Sequence, residues 1–173
     1  MLCHRWTLYE KQVASRFDSP AHRGDFLVDI LEGIKVKDVP LKDRKMVQEA
    51  ATIKEILHML AETRQHYFPV VDKNGSFVGI FSTDGVRGYL FNEAIWNVAN
   101  ARDVMTTRVV SVTPDDDLNT VLRRFTDLNL DELPVVAVGR PTGLLGMLRR
   151  KDVIACYNQI LETYQKSTRE HME

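Results

Sequence analysis

Apolar and polar residues follow the same order twice along the chain. The matching segments are 36–39 (VKDV) and 101–105 (ARDVM), 68–71 (FPVV) and 133–136 (LPVV), and 79–81 (GIF) and 146–148 (GML). The offset is 65 residues between Phe68 and Leu133 and 67 between Gly79 and Gly146. A repeat of this length is too long for a solenoid unit and favours two small α/β lobes. Paired lobes leave clefts between them, and clefts bind ligands.

Each repeat predicts a short strand followed by a capped helix. The strands are residues 46–47 and 109–112. In the first helix Thr52 and Glu55 form a capping box, and in the second Thr113 is the expected cap with Pro114 at the first helical position. The expected apolar faces are Ile53, Ile56, Leu57 and Leu60 in the first repeat, and Leu118, Val121, Leu122 and Phe125 in the second.

A β-hairpin and a second helix complete each repeat. The first hairpin joins residues 68–71 and 77–81 through a turn at 72–75, in which Asn-Gly favours positive φ. The second joins 133–138 and 144–148 through a turn at 139–143. The last helix is amphipathic through Val153, Ile154, Tyr157, Ile160, Leu161 and Tyr164. The result is β-α-β-β-α twice, an α/β (α+β) fold whose repeats we expect to be related by a pseudo-twofold axis.

The N-terminal region predicts a separate helix. Its apolar positions have helical spacing, and Pro20 ends the pattern. The stripe is Leu2, Trp6, Tyr9, Val13 and Phe17. We therefore divide the chain into an N-terminal helix and linker (1–35), a first repeat (36–100), a second repeat (101–166) and a polar tail (167–173), which we expect to be frayed.

Composition is that of an ordinary soluble chain, with 44% hydrophobic and 27% charged residues. A net charge of −1 gives no reason to expect nucleic acid as a partner. No apolar run approaches the roughly 20 residues that span a bilayer, and Arg5, Glu10 and Lys11 interrupt any signal peptide. Cys3 and Cys156, the only cysteines, form no CxxC pair. We expect a cytoplasmic chain.

No catalytic or metal-binding set is recognisable in the sequence. It contains no Ser-His-Asp or Cys-His arrangement and no P-loop, so we predict that the protein is not an enzyme. His58 and Glu62 have the i, i+4 spacing of metal ligands, but two residues without a third are weak evidence. An exposed helix face explains them better, and we predict no metal site.

The repeated residues resemble a CBS domain pair over residues 36–164. That family carries an apolar-Pro-Val-Val strand, a glycine turn, and a Gly-h-h-Ser/Thr-x-x-Asp segment that enters a helix. The resemblance implies tandem CBS repeats, a homodimer, and a cleft that takes an adenine nucleotide such as AMP, ADP or ATP. In the family the Asp binds the ribose, because one carboxylate can accept both hydroxyls of the cis-diol.

Each repeat keeps only half of that motif. Ser82 supplies the hydroxyl in the first, but Gly85 replaces the Asp, and Asp84 is one residue early. Asp152 supplies the acid in the second, but Arg149 replaces the hydroxyl. The resemblance therefore favours a cleft lined by Asp152, with Arg149 as a phosphate ligand. Read alone, Asp152 is equally a carboxylate favoured by the helix dipole, and residues 149–151 a solvated charge run.

The remaining candidate nucleotide ligands come from family positions around the same cleft. They are His66, Tyr67, Val47 and Gly146. Tyr67, just before Phe68 and Pro69, could stack on a base or instead fill the cleft, and plain packing is the simpler interpretation. The degraded motifs also leave open that both sites are vestigial.

The N-terminal flank, residues 7–12 (TLYEKQ) and 15–25 (SRFDSPAHRGD), resembles the stretch that joins the membrane domain of ClC chloride channels and chloride/proton exchangers to their cytoplasmic CBS pair. This resemblance implies a regulatory module of a prokaryotic ClC protein, on the cytoplasmic side of the cell membrane, whose partner is the transmembrane domain of the same polypeptide. The alternatives are a free-standing cytosolic nucleotide sensor and a purely structural dimerisation module.

Overall fold

The computed structural model describes residues 31–170, with side chains described as far as residue 163. These residues form two compact units. Unit 1 contains residues 31–40, 114–131 and 148–170, and unit 2 contains 41–113 and 132–147. The predicted N-terminal helix and its linker lie outside the described residues. The proposed domain bounds remain a prediction, since each unit takes segments from both repeats.

Unit 2 contains a three-stranded sheet. Strand β1 (Val47–Gln48) runs parallel to β2 (Tyr67–Val71), which is antiparallel to β3 (Phe77–Ser82). The predicted first hairpin is confirmed, and Gly75 in its turn has φ +78°. Phe68 and Phe81 stack across the hairpin with their ring centroids 5.1 Å apart.

Helix α1 (Ile53–Ala61) covers this sheet, and its predicted capping box is confirmed. The Thr52 N–H donates to Glu55 Oε2 at 2.7 Å, and the Glu55 N–H donates to Thr52 Oγ1 at 3.3 Å. Ile53 and Ile56 are fully buried, while Leu57 and Leu60 are partly buried against the same core. The core therefore forms along the face that the sequence pattern predicts.

After β3 the chain forms only a short helix, α2 (Thr83–Val86), and two 3-10 turns, Arg87–Tyr89 and Glu93–Ile95. Helix α3 (Ala101–Val104) then opens the second repeat. The second helix of the first repeat is thus much shorter than its counterpart in the second repeat. Glycine destabilises helix interiors, and Gly85 and Gly88 fall within this stretch.

The second hairpin consists of β4 (Glu132–Ala137) and β5 (Arg140–Arg149). Its turn is shorter than residues 139–143, because Gly139 with φ +71° already reverses the chain and β5 begins at Arg140. The predicted strand 109–112 is wrong, since it is reduced to one parallel bridge between Val112 and Val135. A parallel ladder would next need an N–H from residue 114, and Pro114 has none.

Unit 1 contains helices α4 (Leu118–Asp127) and α5 (Arg150–Glu170). Thr113 does not cap α4 as predicted, because Asp117 does so instead. The Asp117 carboxylate accepts hydrogen bonds from the Thr120 N–H at 2.8 Å and the Thr120 hydroxyl at 2.9 Å. The Pro114 carbonyl accepts the Lys37 N–H at 3.0 Å, so residues 113–117 form a turn outside the helix. Helix α5 continues four residues into the predicted polar tail.

The opening turn of each repeat, taken with the two residues before it (34–38 and 99–104), lies against the helix start of the other repeat. In unit 1 the Ile34 carbonyl accepts the Leu118 N–H at 3.0 Å, and the Val36 N–H donates to the Asp116 carbonyl at 2.9 Å. In unit 2 the Ala99 carbonyl accepts the Ile53 N–H at 3.0 Å, and the Ala101 N–H donates to the Ala51 carbonyl at 2.8 Å. The two repeats are therefore joined by matched backbone hydrogen bonds.

Two β-bridges within unit 2 also join the repeats, because each pairs a hairpin strand with a segment of the opposite repeat. Ile80 in β3 bridges Thr106, and Met147 in β5 bridges Lys42. The backbones approach closely at these crossings. A Cβ on Gly79 would lie 2.9 Å from the Thr106 carbonyl oxygen, and one on Gly146 would lie 3.1 Å from the Leu41 Cβ. Glycine is required at both positions.

None of the helices in the described part of the chain is long and apolar enough to cross a membrane.

Gly79→Ala and Gly85→Ala should change stability in opposite directions. The new methyl at 79 would also lie 2.8 Å from the Met105 sulfur, so we expect a loss of about 1–3 kcal/mol. At 85 the nearest atom is 3.8 Å away, so replacing a helical glycine should gain about 0.5–1 kcal/mol. Urea denaturation measures both. Equal changes in the two variants would contradict the close approach at Gly79.

Asp117→Ala should lower the free energy of unfolding by about 1 kcal/mol, whereas Asp117→Asn should retain most of the cap. Burial opposes ionisation of Asp117, but the hydrogen bonds from Thr120 outweigh it and lower its pKa. Because the folded-state pKa is lowered, this stabilisation is present above about pH 3.9 and is lost as pH falls through the folded value.

Urea denaturation at several acidic pH values measures this contribution. Asp117→Asn, which lacks the titrating group, is the control. A cap contribution in wild type that does not decline in acid would contradict the assignment.

Candidate functional site

In the second repeat, Arg149 holds the carboxylate of Asp152. Arg149 stands at the position where the motif has a serine or threonine. Arg149 is the last residue of β5, and Asp152 lies in the first turn of α5. Arg149 Nε donates to Asp152 Oδ2 at 2.6 Å, and Arg149 Nη2 donates to Oδ1 at 2.6 Å. Their side chains are 21% and 18% exposed, so solvent still reaches the pair. The geometry is a two-pronged guanidinium–carboxylate contact.

The equivalent positions also interact in the first repeat, but through different chemistry. Ser82 caps α2, and its hydroxyl accepts the Gly85 N–H at 3.3 Å. Ser82 and Gly85 correspond in the alignment to Arg149 and Asp152. The Thr83 N–H donates to the His66 carbonyl at 2.9 Å, just as the Arg150 N–H donates to the Asp131 carbonyl at 2.9 Å. The backbone frame is thus common to both sites, and the side chains differ.

His66, Tyr67 and Ser82 lie together at the edge of the first hairpin. Tyr67 faces Ser82 in the β2–β3 register, and its ring makes an edge-on contact with His66 at 4.8 Å between centroids. His66 Nδ1 lies 2.6 Å from the Thr83 hydroxyl. Tyr67 is half-buried, which agrees with the packing interpretation. The structure therefore places three of the predicted residues side by side.

Asp84 does not take the place of the absent acid. Its carboxylate is exposed and lies 3.2 Å from Arg87 Nε and 3.5 Å from His66 Nε2. The sequence places it one residue early, and Gly85 provides no side chain at the family's position. The first repeat therefore lacks the carboxylate that would hold a ribose.

Val47 is the only predicted site residue in the first strand of unit 2. It is buried in β1 and paired with Val70. It lines a cavity of about 440 Å³ with Met46, Gln48, Ala50, Ala51, Glu55, Ile56 and Met59. That cavity includes none of the other predicted site residues. The Glu55 carboxylate within it is already occupied by the capping box, whose Thr52 hydrogen bonds lower its pKa. A role for Val47 in nucleotide binding remains a prediction.

Gly146 is explained by packing within unit 2. Its φ is +155°, and Leu41 and the Lys42 carbonyl lie against its Cα. A side chain here would be strained and would meet Leu41. No ligand contact is needed to account for this glycine.

Sequence reasoning missed the ion pair between Arg44 and Glu132. Arg44 Nη2 lies 2.6 Å from Glu132 Oε1, and Nε lies 3.2 Å from Oε2. Their side chains are only 17% and 11% exposed. Glu132 precedes Leu133 and Pro134 as Tyr67 precedes Phe68 and Pro69, so the repeat alignment could have drawn attention to it. Arg44, 88 residues away, carries no such signal.

No group of three or more metal-ligand side chains occurs among the described residues. Glu62, one half of the His58 and Glu62 spacing, lies instead 3.8 Å from Lys45 Nζ and is exposed.

The model of the CBS domain family matches residues 36–92 and 101–158. The chain belongs to this family. The tandem α/β fold inferred from the duplicated motifs is thereby confirmed, and the matched segments begin at the two opening turns described above.

Two proteins from archaea are similar to the chain over more than half of its length. The uncharacterized protein MJ0188 of Methanocaldococcus jannaschii is 33% identical over 133 residues, which are 77% of this chain and 47% of that protein. A homoserine O-acetyltransferase of Methanosphaera stadtmanae is 29% identical over 109 residues, 62% of this chain and 21% of the enzyme. The chain thus spans about half of the first relative and about a fifth of the second.

Among solved structures, the chain is similar to CBSX2 in complex with AMP. The sequence identity is 26%, and the match covers 74% of this chain and 98% of that one with a TM-score of 0.63. The likeness therefore extends over nearly all of the CBSX2 chain.

Proposed function

We propose that this chain is a regulatory CBS pair that binds an adenine nucleotide through Asp152. The observation that carries the proposal is the position of Asp152, which is the family's acid at the start of α5 and keeps part of its side chain exposed. The complex of CBSX2 with AMP supports the ligand class.

The chemistry of Asp152 suits a ribose. An ionised carboxylate can accept both hydroxyls of a cis-diol, and each charge-assisted hydrogen bond contributes about 1.5–3 kcal/mol. The guanidinium of Arg149 suits a phosphate, because its planar donors match two phosphate oxygens. The second repeat thus offers one ligand for the ribose and one for the phosphate of a nucleotide.

The role we propose is regulatory rather than catalytic. The segment shared with homoserine O-acetyltransferase is a fifth of that enzyme, which fits a module appended to proteins of different activity. MJ0188, about twice as long as the shared region, fits the same interpretation. The chain would then act as a nucleotide sensor, free-standing or joined to the protein that it controls.

Attachment to a ClC membrane domain remains a prediction. It rests on residues 7–12 and 15–25, which lie outside the described residues, and none of the relatives described above bears the name of a chloride channel. A sensor outside a ClC protein, free-standing or joined to another protein, agrees better with those names. A purely structural dimerisation module is the outcome if no nucleotide binds.

Asp152→Ala should weaken nucleotide binding by tens-fold or more, because the ribose loses its acceptor. Isothermal titration with AMP, ADP and ATP measures this. Asp84→Ala is the matched control, since it removes an exposed carboxylate at the neighbouring motif position of the first repeat. Absence of binding in wild type, or equal loss in both variants, would contradict the proposed site.

We further propose that two copies of the chain form a homodimer. Several large apolar side chains of unit 2 are exposed, among them Phe91 at 95% and Val98 at 78%. Exposed apolar groups of this size favour burial against a partner.

Light scattering at micromolar concentration should give twice the monomer mass of 19.9 kDa. Phe91→Ser should shift the protein toward monomer, while Lys73→Ser, in an exposed turn, should not. A wild-type monomer would contradict the dimer.

A further inference from the structure

We propose that Arg149 makes the Asp152 site selective for phosphorylated nucleotides over the nucleoside adenosine. Arg149 would hold the Asp152 carboxylate when no phosphate is bound and would transfer its guanidinium to the phosphate when a nucleotide enters. This inference rests on the proposed function.

The two-pronged contact occupies the face of the carboxylate that a diol would use. Both carboxylate oxygens accept a guanidinium N–H at 2.6 Å. A ribose diol is also a pair of donors that approaches both oxygens together. A diol that makes the same two-pronged approach to Asp152 must therefore displace at least part of the contact with Arg149.

Displacement is unfavourable unless the arginine gains another anion. Leaving Asp152 costs Arg149 two charge-assisted hydrogen bonds, both at 2.6 Å. Hydrogen bonds between charged groups are stronger than neutral ones, so a replacement anion offsets much of this loss. Adenosine offers no replacement partner, whereas the phosphate of AMP, ADP or ATP can accept two guanidinium N–H groups.

The first repeat shows what the same two positions do without the arginine. There the hydroxyl of Ser82 accepts the Gly85 N–H at 3.3 Å, and no charge lies at either position. A serine at position 149 would therefore place a hydroxyl within the shared backbone frame and remove both guanidinium hydrogen bonds from the Asp152 carboxylate. It would also delete the cation that we assign to the phosphate.

Titration of the full chain with AMP and with adenosine tests the inference. Wild type should bind AMP at least about tenfold more tightly than adenosine, as expected for one charge-assisted contact. Arg149→Ser should weaken AMP and strengthen adenosine, so that the ratio approaches one. These opposite changes are not expected from a general loss of stability, and melting curves establish that the variant is folded.

Two further variants sharpen the test. Lys151→Ser removes a neighbouring exposed cation and should leave the preference for AMP almost unchanged. Arg149→Lys keeps the charge without the fork, and should retain weaker AMP selectivity. If Arg149→Ser does not fold, the ratio of AMP to adenosine affinity is measured in Arg149→Lys instead.

The outcomes separate the two proposals. If AMP binds and the ratio stays the same in Arg149→Ser, or in Arg149→Lys where the serine variant is unfolded, the inference is overturned while the nucleotide site stands. If Lys151→Ser lowers the ratio as much as Arg149→Ser, selectivity comes from general positive charge, which also overturns it. If neither wild type nor any variant binds AMP or adenosine, the proposed function fails and the inference fails with it.

Discussion

The fold depends on backbone hydrogen bonds that each repeat makes with the other. The opening turn at Ile34 and Val36 completes the helix start of the second repeat, and that at Ala99 and Ala101 completes the helix start of the first. Helix N-termini leave backbone groups without partners, and burying them unsatisfied is costly. Each repeat thus supplies what the other lacks, so neither would be complete alone. This requirement explains why the compact units do not coincide with the repeats.

The shared frame has allowed the two candidate sites to diverge in their side chains. Thr83 and Arg150 make the same backbone hydrogen bond to the residue before their hairpins. The flanking residues also interact in both repeats, although their chemistry differs. Ser82 contacts Gly85 in the first repeat, and Arg149 contacts Asp152 in the second. One repeat therefore caps its helix with a hydroxyl, and the other carries a guanidinium–carboxylate ion pair at the same positions. Duplication preserves the backbone, while each site's function depends on a few side chains.

The sequence predicted features that arise from local pattern. The capping box at Thr52, the turn at Gly75 and the buried face of α1 follow from residue spacing and from the conformations these residues prefer. The cap of α4 was misplaced, because both Thr113 and Asp117 are plausible caps. The deciding contact, between Lys37 and Pro114, joins residues 77 positions apart. Local residue preferences do not predict a contact between residues so far apart in sequence.

The candidate site also combines features that the sequence predicts with contacts that only the fold creates. The family motif located Asp152 and Arg149, which are three residues apart, but it did not reveal that they bind each other. The Arg44 and Glu132 pair could not be predicted, because two charged residues 88 positions apart give no pattern until the fold brings them together. The resemblance thus identified a carboxylate, and only the three-dimensional structure showed that Arg149 holds it.

In the exchange that we propose, the position of Asp152 lowers the cost of displacing Arg149. Asp152 lies in the first turn of α5, a helix of 21 residues, where the macrodipole stabilises a carboxylate by about 0.3–1 kcal/mol. A carboxylate that has lost its guanidinium therefore keeps a favourable interaction, which offsets part of the cost of opening the pair. The same acid in the middle of a helix would lack this compensation. The helix N-terminus thus provides a second interaction for Asp152, and the ion pair can open without leaving its carboxylate unsupported.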